Sequence, residues 1–121
     1  MEIKKFDIVR FKGANYRVRH VDTEYKKLRL VGGLWVPIYN VTLVESVVLP
    51  ELQIGDEVII HPIPRSERID YPIGWNEKMS DMANGEIHTI RNYGMIKDSY
   101  LIGEFVFAPY HLEKVRGYDM V

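Results

Sequence analysis

The sequence predicts an all-β protein made of two small five-stranded barrels in tandem. Three observations carry that prediction: apolar residues alternate in short runs, glycine and proline punctuate the runs at hairpin intervals, and the order of runs in the first half returns in the second. At 121 residues, with 46% hydrophobic and 27% charged side chains, the chain has the balance of a folded globular protein and not of a disordered one.

Phe6, Ile8 and Phe11, followed by Tyr16 and Val18, alternate as strands with one buried face, and Gly13-Ala14-Asn15 between them predicts a hairpin over residues 6 to 21. Leu28–Val31 and Leu34–Ile38 follow as two more strands, joined at Gly32-Gly33, where positive φ carries no strain. The segment from Tyr39 to Val44 begins as a single 3₁₀ turn and ends as a short strand, closing the first unit near Glu45. Val47–Leu52 runs into Pro50 and reads as a packed connector.

Gly55-Asp56 opens the second unit, with Glu57–Ile60 as its first strand. Prolines at 62, 64 and 72 break the chain before Trp75, leaving a long loop that carries the polar stretch Arg65-Ser66-Glu67-Arg68. One or two helical turns are expected from Trp75 or Asn76 to Met82, capped by Asn76, with the stripe Trp75, Met79 and Met82 packed on its own barrel. Asn84-Gly85 ends the helix, Glu86–Ile90 alternates as a strand, and Ser99–Ile102 and Glu104–Phe107 form a hairpin split at Gly103. Ala108-Pro109-Tyr110 and Leu112–Val115 then repeat the close of the first half.

The halves correspond segment by segment. Asp7-Ile8-Val9 answers Asp56-Glu57-Val58, Gly13 to Val18 answers Gly85 to Ile90, Leu28-Arg29-Leu30 answers Tyr100-Leu101-Ile102, and Trp35 to Val44 answers Val106 to Val115. Five short strands with a 3₁₀ turn before the last is the order of an SH3-like barrel. The expected organisation is therefore a first SH3-like barrel over residues 1–46, a connector over 47–53 and a second barrel over 54–121, whose long loop and short helix are inserted between its first two strands. A barrel of this size hides only about 60% of its unfolded surface, so the two are expected to pack together.

Ile54-Gly55-Asp56-Glu57-Val58, Trp75-Asn76 with Met79, Gly85 with Thr89-Ile90, Phe105-Val106-Phe107 and Leu112-Glu113 resemble small bacteriophage and prophage proteins of uncharacterised role. The pattern is also similar to the Mib/Herc2 type of SH3-like repeat, which binds peptides. The first half shares it through Phe11-Lys12-Gly13, Tyr16-Arg17-Val18 and Leu28 to Leu43. The resemblance implies a phage accessory protein that works by binding, and it carries over no catalytic residue.

Composition narrows the chemistry. Sixteen basic and seventeen acidic side chains give a net charge of −1, so no global field draws the chain to phosphate backbones or anionic membranes. Without cysteine there is no disulfide, thiolate metal site or cysteine nucleophile, a pattern consistent with the cytoplasm, and of the host cell if the chain is phage-encoded. The N-terminus lacks the apolar core of a signal peptide, and no apolar run is long enough to span a bilayer. The histidines at 20, 61, 88 and 111 stand singly, away from metal-ligand spacing, and no nucleophile elbow or phosphate-binding loop is present. Neither an enzyme nor a cofactor is expected.

The first expected function is a protein-binding module that modulates or inhibits a host or phage protein. Its candidate residues are His61, Arg65, Arg68, Tyr71, Trp75 and Tyr110, with Tyr39 in the equivalent neighbourhood of the first half, whereas Trp35, Phe105 and Phe107 read mainly as core. A second is nucleic-acid binding of the KOW type through a basic strand face formed by Arg10, Arg17, Arg19, Lys27 and Arg29, interleaved with Tyr16 and Tyr25. Alternation places Arg17 and Arg19 together on a solvated face. A structural, virion-associated role is the third, and the apolar Val47-Val48-Leu49 stretch is a candidate oligomer contact.

Overall fold

A computed structural model describes residues 2–68, 71 and 74–115. It divides the chain into two units, Met1–Val48 with Arg65–Tyr71, and Leu49–Pro64 with Pro72–Val121. The polar middle of the long loop thus belongs to the first unit.

In that unit β1 (Ile8–Phe11), β2 (Ala14–Asp22), β3 (Lys27–Leu30), β4 (Trp35–Pro37) and β5 (Thr42–Glu45) form an antiparallel sheet in the order β4-β3-β2-β1-β5. Phe11 pairs with Ala14, so the first hairpin turns on Lys12 (φ 50°) and Gly13 (φ 82°), and Ala14 and Asn15, expected in the turn with Gly13, instead begin β2. Two successive positive φ values match the right-handed twist of the flanking strands. A 3₁₀ turn, Ile38–Asn40, leads into β5. Ile3, Val9, Val18, Leu28, Leu30 and Val36 make the core, with Phe11, Tyr16, Val21, Ile38, Val41 and Leu43 packed around them.

The second unit runs β6 (Glu57–Ile60), α1 (Glu77–Met82), β7 (Ile87–Tyr93), β8 (Tyr100–Ile102), β9 (Phe105–Phe107) and β10 (Leu112–Lys114), with sheet order β10-β6-β7-β8-β9. As expected, Asn76 caps α1, its Oδ1 accepting the Met79 amide at 3.1 Å, and Met79 is buried. A 3₁₀ turn, Pro109–His111, again precedes the last strand. Val58, Ile60, Ile90, Ile102, Phe107 and Leu112 are buried in this unit.

The same pairings recur in both sheets, and so do the hydrogen bonds that start them. The Lys4 amide donates to Asp7 Oδ2 at 2.8 Å and the Gln53 amide to Asp56 Oδ2 at 2.9 Å. Phe6 N–H reaches the Val18 carbonyl at 2.8 Å, as Gly55 N–H reaches that of Ile90 at 2.9 Å. Phe6 (φ 77°) and Gly55 (φ 95°) hold the same left-handed corner, which glycine adopts freely and phenylalanine does not.

Neither sheet closes. Among the described residues β4 does not pair with β5, nor β9 with β10, so each unit is an open five-stranded sheet by its hydrogen bonds and not the closed barrel expected. The edges are too short to reach: β4 has three residues and ends in Pro37, which has no N–H to offer, and β9 has three before Ala108-Pro109. No helix among the described residues is long and apolar enough to cross a membrane.

Candidate functional site

On β2, β3 and β4, register decides which side chains face solvent. Val21, Leu28 and Val36 lie side by side facing the core, which turns the rows on either side of them outward: His20, Arg29 and Trp35 in one, Asp22, Lys27 and Pro37 in the other. Trp35 is therefore 47% exposed, and the His20 ring meets it edge-on at 6.0 Å.

Two turns extend this face. Between β2 and β3, Asp22 Oδ1 accepts the amides of Glu24 and Tyr25 at 3.1 and 3.0 Å, and Lys26 takes φ 56°, a local carboxylate turn that leaves Tyr25 67% exposed. The Ile38 amide donates to the Lys26 carbonyl at 2.9 Å, fastening the 3₁₀ turn to the β2–β3 turn and presenting Tyr39 at 75% exposure. Lys27 Nζ sits 6.0 Å from the centre of the Tyr25 ring, and Lys26 Nζ 6.0 Å from that of Tyr39. Three exposed aromatic rings and three cations, Lys26, Lys27 and Arg29, thus share one surface, held by a sheet and two hydrogen-bonded turns.

The residues expected to form a protein-binding groove are placed differently. Tyr71 is 3% exposed and buried, contrary to its expected role as an open groove aromatic. Arg65 and Arg68 lie with it in the first unit, Arg65 exposed on a 3₁₀ turn and Arg68 half-buried, while positions 69, 70, 72 and 73 of the loop lie outside the described residues. In the second unit Trp75 is half-buried, donating to Ser80 Oγ at 2.7 Å and packing edge-on against Phe107 at 6.0 Å. The His111 ring lies tilted against Trp75 at 5.8 Å and against Tyr110 at 5.1 Å, and its Nδ1 lies 2.7 Å from the His61 carbonyl. His61 keeps an open imidazole, with Nε2 2.7 Å from Glu113 Oε1.

The basic set also separates. Arg17 was expected on a solvated face, yet its Nε donates to Glu67 Oε1 at 2.8 Å and another guanidinium nitrogen to the Phe6 carbonyl at 2.8 Å. The two charged side chains are only 13% and 12% exposed, because Ser66 and Glu67 lie over this part of β2. Arg19 falls at a register shift between Val18 and His20, which breaks the alternation assumed for it. Arg10 donates to Asn15 Oδ1 at 3.2 Å on β1. Lys27 and Arg29 alone of the five lie on the aromatic face.

Trp35, His20 and Lys26 are the site residues that sequence reading missed. The signal was in the hairpins: Gly32-Gly33 as the turn sets Trp35 opposite Arg29, and that pairing puts the ring outside once Leu28 is assigned to the core. Further concavities among the described residues include one of about 300 Å³ in the first unit beside Tyr16, Arg17 and Glu67, and in the second one of about 430 Å³ beside Tyr93, Met95 and Tyr100 and one of about 310 Å³ beside Trp75, Met79 and Phe105. Among the described residues no group of three or more histidine, aspartate or glutamate side chains is placed to hold a metal ion. No family model, curated protein or solved structure matches the chain.

Proposed function

We propose that the protein is a non-enzymatic binding module whose working surface is the outer face of β2–β3–β4 with its two turns. The carrying observation is the exposure of Trp35, Tyr25 and Tyr39 on a sheet face and two hydrogen-bonded turns. Large aromatic side chains left in water beside cations are the groups that dominate binding energy when a partner covers them. Strand order, together with a 3₁₀ turn before each last strand, supports reading both units as SH3-like folds. The likeness to small phage proteins supports a viral accessory role, with a host macromolecule as the partner.

The test is capture from a host lysate by the immobilised full chain. A specific partner should be retained by the native protein and by Met95→Ser, a control on an exposed loop of the second unit, and lost from Trp35→Ala with Tyr39→Ala. Truncating both aromatic anchors should weaken binding by about 30-fold or more. Retention of every partner by the double variant would move the working surface elsewhere.

A further inference from the structure

Resting on that reading, we propose that the ligand of the β2–β3–β4 face is single-stranded nucleic acid. The face repeats one unit of chemistry twice, a flat ring with a cation 6.0 Å from its centre, in Tyr25 with Lys27 and Tyr39 with Lys26, and adds a third ring, Trp35, whose partner across the sheet is Arg29. A nucleotide is the complementary unit, one flat base and one phosphate.

Alternative ligands each satisfy half of the surface. An acidic peptide would neutralise the cations and leave the rings without a partner; a proline-rich peptide would cover the rings and leave the cations. A basic or methylated side chain entering beside the rings would meet Lys26 and Lys27. Duplex DNA or RNA hides its base faces in its own stack, so only unpaired bases can lie on Trp35, Tyr25 and Tyr39.

The acids of the same turn shape the expected affinity. Asp22 is engaged with the Glu24 and Tyr25 amides, Glu24 follows it, and the chain as a whole carries −1, so the attraction is local and not a long-range field. Two or three phosphates met by Lys26, Lys27 and Arg29 give a slope of log K against log salt of about −1.4 to −2.1 for a single strand. Stacking then carries most of the binding, which should be micromolar and tolerant of sequence.

The experiment is fluorescence anisotropy of labelled oligomers of about 12 nucleotides, as single-stranded DNA, single-stranded RNA and duplex, titrated with the full chain at about 50 and 200 mM salt. A labelled hexaglutamate peptide runs in parallel. The inference predicts saturable single-strand binding, duplex binding at least about fivefold weaker, and a loss of about tenfold in Trp35→Ala. Lys26→Ala with Lys27→Ala should flatten the salt slope by about 1.4. All these positions are exposed, so circular dichroism of each variant should match the native chain. Absent single-strand binding, or binding that ignores Trp35→Ala, overturns the inference. Peptide binding that depends on Trp35 without oligomer binding overturns it too, yet leaves the proposed binding face standing; loss of Trp35 dependence in both this assay and lysate capture defeats both.

Discussion

At the scale of single residues, the pair Arg17 and Glu67 shows how a side chain is withdrawn from function by structure. Its guanidinium is shared between a carboxylate and the Phe6 carbonyl, and both charged groups are mostly out of water, so removing one partner strands the other. Glu67→Gln should cost about 1–3 kcal/mol by urea denaturation, whereas Arg65→Ala on the same exposed turn should stay within about 0.5 kcal/mol. Trp35→Ala should likewise leave stability almost unchanged while weakening single-strand binding about tenfold, the signature of a ring that serves a partner and not the core. Trp35 reads from sequence as core and stands open in the fold, because strand alternation separates two sets of residues but only the register against neighbours says which set faces the core. Tyr71 lies in a loop without periodicity, which offers no pattern from which its burial could be read.

Among the elements, the paired corners before β1 and β6 make the sharpest comparison. Asp7 is fully buried, and its carboxylate accepts the Lys4 amide at 2.8 Å, the Val47 amide at 2.9 Å and the Ser46 hydroxyl at 3.4 Å. Asp56 accepts the Gln53 amide at 2.9 Å and stands 3.5 Å from Lys114 Nζ, nearer to water. Asp7→Ala should therefore cost about 2–4 kcal/mol, and Asp56→Ala about 1 kcal/mol, in chemical denaturation followed by circular dichroism. Asn76→Ala should remove about 1 kcal/mol through the lost cap of α1. Gly94→Ala should be costlier than its backbone suggests, about 1–3 kcal/mol, since the added methyl would overlap the Ser99 side chain and approach Val106 Cγ1 to 2.8 Å. The strands, the Asn76 cap and the 3₁₀ turns before β5 and β10 were legible in the sequence because each has a local cause in alternation, capping or proline, whereas the 3₁₀ turn Arg65–Glu67 reads from sequence only as loop. The bulge at Val18 and His20 was not: it inserts one residue into β2 without a glycine to mark it, and it undid the expected pairing of Arg17 with Arg19 on one open face.

Across the whole molecule, one five-stranded pattern is used twice and the copies differ on the face proposed to bind. The row His20, Arg29 and Trp35 of the first copy corresponds to Asn92, Leu101 and Val106 in the second, with the register shift at the same place in β2 and β7. Val106 is buried where Trp35 is open, and no cation stands in its row. The duplication was readable from Asp7 and Asp56, the glycine turns and the proline-bearing closes, all of which serve the fold. Which copy leaves aromatic rings open on its outer face was not, because that depends on exposure created by pairing. Tryptophan fluorescence separates the two copies, since Trp35 and Trp75 are the two tryptophans of the chain, one in each unit. In single-tryptophan variants titrated with single-stranded oligonucleotide, Trp75→Phe should keep a saturable quench from Trp35, and Trp35→Phe should stay silent. A response that follows Trp75 would contradict a working face on β2–β3–β4, and silence in both would contradict single-stranded nucleic acid as its ligand.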